Sequence, residues 1–313
     1  MGSGDVSATT HAETKGSTLP PGGNPILPEW QAACLNCGAA LDGPFCAHCG
    51  QRAIPPHPTV RELAGDAAGE FSGWDGKFVE TLRLLVTRPG ELTQRFLAGQ
   101  RARFISPVRL YLACSLAYFI VASTAPNLRP GNASAVSVAG VNIGVWTPTK
   151  RTADLTAAER DSALALINAS PVYVRPILRR VVEDPLGFRK SMLESMPRVL
   201  FALLPVFAAI VALFFRGRHY PEHFYFAVHL HAFVFLALAV GEAAKFTGSL
   251  RIATTIGIGA TVWLIVYAAL ALRRVYNASV AATAIRGSGI LALYIVASMV
   301  ALYGLVTWAA LRR

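Results

Sequence analysis

The sequence has little charge and none of the short motifs that mark common catalytic sites. Only 15% of its 313 residues are charged, whereas 53% are hydrophobic, and the mean hydropathy is +0.44. This balance excludes an ordinary soluble domain and predicts a chain that lies mostly in lipid. The motifs G-x-S-x-G, G-x4-GK[ST] and H-E-x2-H are absent. The sequence therefore carries no signature of a serine hydrolase, a P-loop enzyme or a zinc protease.

The N-terminal segment lacks the features of a secretory signal peptide. It has neither a basic start nor an apolar core, and it is rich in Gly, Ser, Thr and Pro. This composition is typical of a segment that buries too little apolar surface to fold. We therefore predict a disordered tail over residues 1–33.

Cysteine is scarce, but four of the five cysteines fall within the stretch CLNCGAALDGPFCAHCG as two C-x2-C pairs. Tetrahedral zinc takes four thiolates, and each C-x2-C turn supplies two of them. A disulfide pair is the alternative, which a reducing cytoplasm disfavours. A fifth ligand would overfill a closed site, so His48 is interpreted as a surface residue. The pattern predicts a structural zinc ribbon over residues 34–52, with Zn²⁺ held by Cys34, Cys37, Cys46 and Cys49.

Five apolar runs are long enough to cross a hydrocarbon core of ~30 Å, which takes about 20 helical residues. They are residues 107–125, 197–215, 224–243, 253–272 and 288–311. We predict an all-α polytopic membrane protein with a transmembrane domain at 106–313 and an external loop at 126–196.

The distribution of basic residues predicts the orientation of these spans. Arginines are concentrated between residues 83 and 109, in the connection RGRHYPEH and after the fourth span. Short cytoplasmic segments are enriched in Lys and Arg, so the N-terminus is predicted to be cytoplasmic. Lys245 and Arg251, after the third span, fall on the outer side and count against this orientation.

The pattern of residues 53–105 predicts amphipathic helices next to the membrane. Thr59 and Glu62 form a capping box, and apolar residues follow at helical spacing. A basic strip next to the first span favours anionic lipid headgroups as a partner, each cation contributing about 1 kcal/mol. Nucleic acid is the disfavoured alternative, because the strip adjoins the membrane. The strip consists of Arg83, Arg88, Arg95, Arg101, Arg103 and Arg109.

A cluster of ionisable residues lies in or beside the third span, in HYPEHFYFAVHLHAF. Intramembrane ionisable groups are costly and suggest function, but bonds between neighbouring helices are the favoured interpretation here. The side chains of His229 and His231 differ by about 200° around a helix, so they cannot face one cavity. A metal site made of two imidazoles and a carboxylate is the alternative at the start of the span. The cluster comprises His219, Glu222, His223, His229 and His231.

Several stretches together resemble the bacterial DUF (domain of unknown function) family thirty-six sixty-seven. They are FCAHCGQR, TRPGELTQRFLAGQRARFISPVRLYL, YPEHFYFAVHLHAF and ALRRVYN, which lie between Cys34 and about Tyr276. The resemblance implies a zinc-ribbon protein of the bacterial inner membrane with no established activity. It supplies no catalytic residues.

Two functional hypotheses follow. The first is a non-enzymatic membrane protein whose ribbon is structural or docks a cytoplasmic protein partner, since a closed four-cysteine site has no open position for catalysis. The second is a transporter or membrane-embedded enzyme that uses the cluster from His219 to His231. The first is favoured, because catalytic motifs are missing and no inverted repeat is visible among the spans.

Overall fold

The computed structural model describes residues 32–53, 76–126, 136–138, 141–143, 161, 165 and 167–311. Its contacts divide the chain into two compact units, Met1–Ala53 and Ile54–Arg313. Most of the predicted tail, residues 1–31, lies outside the described residues. The predicted capping box of Thr59 and Glu62 also lies outside them.

The described part of the N-terminal unit, residues 32–53, contains two turns with the same hydrogen bonds. In the first, the Cys34 amide donates to Ala39 and the Gly38 amide to Cys34, each at 2.8 Å. In the second, the amides of Cys46 and Gly50 donate to the equivalent carbonyls, also at 2.8 Å. Gly38 and Gly50 have φ of 76° and 72°, a conformation that favours glycine. Each C-x2-C pair is therefore held in the same tight turn.

The second unit is nearly all helical, as the sequence predicts. Its helices are α1 (Gly76–Thr87), α2 (Glu91–Leu97), α3 (Pro107–Thr124), α4 (Arg175–Glu183), α5 (Pro185–Phe214), α6 (Tyr220–Ala243), α7 (Leu250–Tyr276) and α8 (Val280–Leu311). A 3-10 helix, Ala244–Thr247, extends α6. Two short antiparallel strands, β1 (Val136–Val138) and β2 (Val141–Ile143), lie in the predicted external loop. Three-residue strands are too short to leave a sequence period, so the all-α prediction omits them.

Five of these helices are long and apolar enough to cross a membrane, which confirms the predicted number of spans. The candidates lie in α3, in α5 from Lys190, in α6 with its 3-10 extension, in α7 and in α8. Helix α6 has the largest buried share and contacts α3, α5 and α7. Helix α8 has the smallest share of its span buried inside the protein, so most of its surface is available to contact lipid. The chain is therefore organised as a multi-pass membrane protein around α6.

Helix α5 begins at Pro185, not at residue 197 as predicted, so part of the predicted external loop is helical. The Asp184 side chain accepts a hydrogen bond from the Gly187 amide at 2.9 Å, and Pro185 occupies the first turn. This is a standard helix start, which the search for apolar runs overlooks. The added turns carry Phe188 and Met192, which are buried in a cluster with Leu305 of α8.

Helices α1 and α2 pack against the long helices. Leu85, Leu92 and Phe96 belong to the same buried cluster as residues of α6 and α7. The Tyr267 hydroxyl of α7 donates to the Leu85 carbonyl at 2.7 Å. The Arg274 guanidinium, at the end of α7, donates to the Pro89 carbonyl at 2.7 Å. Much of the apolar face of these two helices is therefore covered by protein.

Candidate functional site

The four cysteines of the N-terminal unit form one compact group. Their Sγ atoms all lie within 4.8 Å of one another, and Cys34 and Cys46 are buried. No other group of three or more His, Cys, Asp or Glu side chains within the described residues could share a metal ion. The structure thus brings together the four predicted ligands, and it does not form the alternative metal group of His219, Glu222 and His223.

The spacing of the sulfur atoms fits a tetrahedral ion. Zinc–thiolate bonds of about 2.3 Å imply sulfur–sulfur distances of about 3.8 Å at a tetrahedral site. The observed distances are 3.5 Å between the Sγ atoms of Cys34 and Cys49 and 3.6 Å between those of Cys37 and Cys46. The four-sulfur set is closed, because a tetrahedral ion bound to all four has no position left for water or substrate. His48, the histidine between Cys46 and Cys49, is exposed.

The thiols of this group compete for ionisation. Burial opposes ionisation of Cys49, but hydrogen bonds from the Gln51 backbone, the Asn36 side chain and two neighbouring thiols lower its pKa to about 6. For Cys37 the backbone hydrogen bond from Ala39 favours the thiolate, yet desolvation and the three other cysteines outweigh it and raise its pKa to about 12. Adjacent thiolates repel each other, and a bound cation removes that repulsion.

The first residues of the histidine cluster lie at the start of α6. The Glu222 carboxylate accepts from the Arg218 guanidinium at 3.0 Å and from the His219 amide at 3.4 Å. His223 is fully buried, and its Nδ1 lies 2.8 Å from the Tyr276 hydroxyl at the end of α7. Glu222 therefore holds the turn before α6, while His223 connects α6 to α7.

His229 and His231 contact different neighbours. The Nδ1 atom of His229 lies 3.0 Å from the Thr93 hydroxyl of α2. The His229 and Phe96 rings pack edge to face, with their centroids 5.3 Å apart. The Nδ1 atom of His231 lies 2.8 Å from the Ala227 carbonyl, and its Nε2 lies 2.7 Å from the Tyr294 hydroxyl of α8. Because a carbonyl oxygen only accepts, His231 carries its proton on Nδ1 and accepts from Tyr294 at Nε2.

The bond between His231 and Tyr294 is expected to stabilise the packing of α6 on α8. Replacing His231 by Leu should lower the free energy of unfolding by roughly 0.6 to 1.7 kcal/mol, the range for bonds between membrane helices. Tyr294→Phe removes the same bond, so the double variant should be no less stable than the worse single variant. Thermal unfolding in detergent measures all three. Additive losses in the double variant would contradict a direct bond.

The partners of these histidines could not be found from sequence. Thr93, Tyr276 and Tyr294 lie far from α6 along the chain, and no local pattern marks them as its neighbours. The nearest signal is at Tyr294, a polar residue within an otherwise apolar helix. A polar residue at such a position requires a partner but does not identify it.

Comparison with known proteins locates the similarity of the chain in its first helices. No curated protein and no solved structure matches it. Residues 75–119, which contain α1, α2 and most of α3, match a family model. The predicted resemblance is confirmed over this segment, which is shorter than the predicted range and does not include the four cysteines. The chain is therefore similar, over residues 75–119, to the family described as Protein of unknown function (DUF3667).

Proposed function

We propose that this chain is a non-enzymatic, multi-pass protein of the bacterial inner membrane whose N-terminal unit binds zinc and docks a cytoplasmic protein partner. The main support is the closed four-sulfur geometry. A metal ion bound to four thiolates has no open coordination position for water or substrate, so such a site is structural and not catalytic. The surface of the unit supports a docking role. Phe45 is 60% exposed and Leu35 is 38% exposed. Exposed aromatic residues are frequent anchors of protein interfaces.

The docking role is tested by photo-crosslinking in cells. A photoreactive residue at position 47, next to Cys46, should capture one discrete partner from the full-length chain. Phe45→Ala should reduce this capture at least about tenfold, since interface aromatic anchors commonly contribute 2 kcal/mol or more. The matched control is Asp42→Ala, another exposed position of the same unit. Undiminished capture in Phe45→Ala, with zinc retained, would contradict docking through this surface and leave a structural role.

The proposed orientation places the start of α6 in the cytoplasm. The bond between His223 and Tyr276 puts the start of α6 beside the end of α7, and Arg286 of α8 lies over the Phe215 ring at 5.1 Å. Arginines at this end of the helices include Arg216, Arg218, Arg273, Arg274 and Arg286. The enrichment of basic residues in cytoplasmic segments supports this assignment.

Orientation is tested with a membrane-impermeant thiol reagent on intact cells. Asp154→Cys should react with the reagent, because residue 154 belongs to the predicted external loop. Gly217→Cys, in the turn before α6, should react only after the membrane is broken. The reverse pattern would invert the topology and remove the argument that the four cysteines face a reducing compartment.

The basic strip is proposed to face anionic headgroups, although part of its charge is balanced within the protein. Glu91 pairs with Arg88 at 3.2 Å and with Arg95 at 2.5 Å. Burial opposes ionisation of Glu91, but hydrogen bonds from Arg95 and Arg88 outweigh it and lower its pKa. Arg103 pairs with Glu80. Arg83 is exposed and has no acidic partner among the residues that the structure describes, so it is the clearest headgroup contact of the strip.

One observation favours the alternative of a transporter or membrane-embedded enzyme. The Nε2 atoms of His223 and His229 are buried, and neither has a hydrogen-bond partner within the described part of the chain. Unpaired polar atoms at membrane depth are costly and occur along substrate and proton paths. His229→Gln keeps a donor and an acceptor beside Thr93. A His229→Gln variant that unfolds at the wild-type temperature but has lost the cellular function of the protein would favour the alternative.

A further inference from the structure

A cleft with three arginines opens at the end of the helices where α5 stops and α6 begins. Its volume is about 500 Å³. It lies between the end of α5, the turn that follows, the end of α7 and the first turns of α8. Its lining residues include Phe214, Phe215, Arg216, Arg218, Tyr276 and Arg286.

The cleft carries positive charge that the protein does not balance. Arg218 is occupied, since it donates to Glu222 at 3.0 Å and to the Val275 carbonyl at 2.8 Å. Arg216 and Arg286 are exposed, and neither forms an ion pair with an acid in the described ranges. Guanidinium groups bind phosphate through paired N–H donors, so two that lack an acidic partner at a single cleft suit a phosphate ester.

The other wall of the cleft is aromatic and apolar. The ring of Phe215 stacks on Tyr276 with centroids 4.2 Å apart, and the guanidinium of Arg286 lies 5.1 Å from the centroid of the Phe215 ring. The Tyr276 hydroxyl is held by His223 at 2.8 Å. Leu213, beside the cleft on α5, is 58% exposed. The site thus combines three guanidinium groups with an apolar surface that continues onto the lipid-facing side of a span.

We propose that this cleft binds the phosphate of an anionic glycerophospholipid. Arg216 and Arg286 donate to the phosphate oxygens, while the acyl chains lie along Leu213 and Phe214. The apolar residues beside the cations favour a lipid over a soluble phosphate ester, because only a lipid has acyl chains that can lie along Leu213 and Phe214. The site is separate from the basic strip and does not depend on the zinc proposal.

The test measures how tightly the full-length chain in nanodiscs binds a labelled phosphatidylglycerol. Wild type should prefer it over phosphatidylcholine with the same acyl chains. Arg216→Gln combined with Arg286→Gln should weaken binding about tenfold or more, from the loss of two cations near the membrane surface. Arg218 is left unchanged, because it also supports the end of α7. A normal unfolding temperature of the double variant excludes misfolding.

The matched control removes two exposed cations that do not line the cleft. Arg198→Gln combined with Arg251→Gln should keep wild-type lipid binding, since both residues are exposed and neither belongs to the cleft. Equal weakening in both double variants would overturn the proposal in favour of general charge attraction. Competition by soluble glycerol 3-phosphate as strong as that by the lipid would overturn the choice of a lipid and assign the cleft to a free phosphate ester.

Discussion

Replacing Cys37 and Cys46 together by serine is expected to abolish the proposed zinc binding and to unfold the N-terminal unit. Wild type purified without chelator should contain about one zinc ion per chain, because four thiolates complete a tetrahedral site. The buried hydrophobic residues of the described part of this unit are Cys34, Leu41 and Cys46, which is too small a core to fold alone. Structural zinc contributes about 10–16 kcal/mol in small zinc-dependent units. Metal analysis and limited proteolysis of residues 32–53 measure both effects.

The control for this experiment is Cys114→Ala. Cys114 is buried in α3 and lies outside the four-sulfur group, so this variant should keep full zinc occupancy. Full occupancy in the double serine variant would show that the metal is held elsewhere. The absence of zinc from the wild-type protein would remove the metal assignment altogether.

Gly90→Ala is expected to detach α1 and α2 from α7. Gly90 has φ of 76°, and an added Cβ would lie 2.9 Å from the Ala271 carbonyl oxygen and 3.0 Å from the Ala271 Cα. Neither neighbour can move independently, because both are backbone atoms of α7. The left-handed conformation costs about 1–2 kcal/mol for a residue with a side chain, and overpacking adds about 1–3 kcal/mol. The unfolding temperature in detergent should fall, and protease should cleave near residue 90 more rapidly.

Gly259→Ala in α7 is the matched control. An added Cβ there meets no atom within 4 Å, and the residue lies in a regular helix, so stability should be unchanged or slightly higher. A Gly90→Ala variant as stable as this control would mean that α1 and α2 do not pack tightly on α7.

The four-cysteine cluster and the number of spans are determined by local sequence. Two C-x2-C turns bring two sulfurs each within reach of one ion whatever the rest of the chain does, provided that glycine permits the turn. Each span is likewise recognisable from its own residues, because a helix in lipid satisfies its backbone internally. These features therefore need no knowledge of which helix lies beside which. The late start predicted for α5 shows the limit of apolar runs, since Asp184 and Pro185 begin that helix with polar and conformational signals.

Only the tertiary structure determines which helices face each other. The amphipathic pattern of α1 and α2 predicts an apolar face but does not identify what covers it, whereas in the structure Leu85 and Phe96 are buried against α6 and α7. The bond between Thr93 and His229 joins residues that are distant in the chain. The cleft at Arg216 and Arg286 likewise forms only when α5, α7 and α8 meet. Periodicity specifies that a helix has an apolar face, but the contacting partner depends on the shapes of all the helices together.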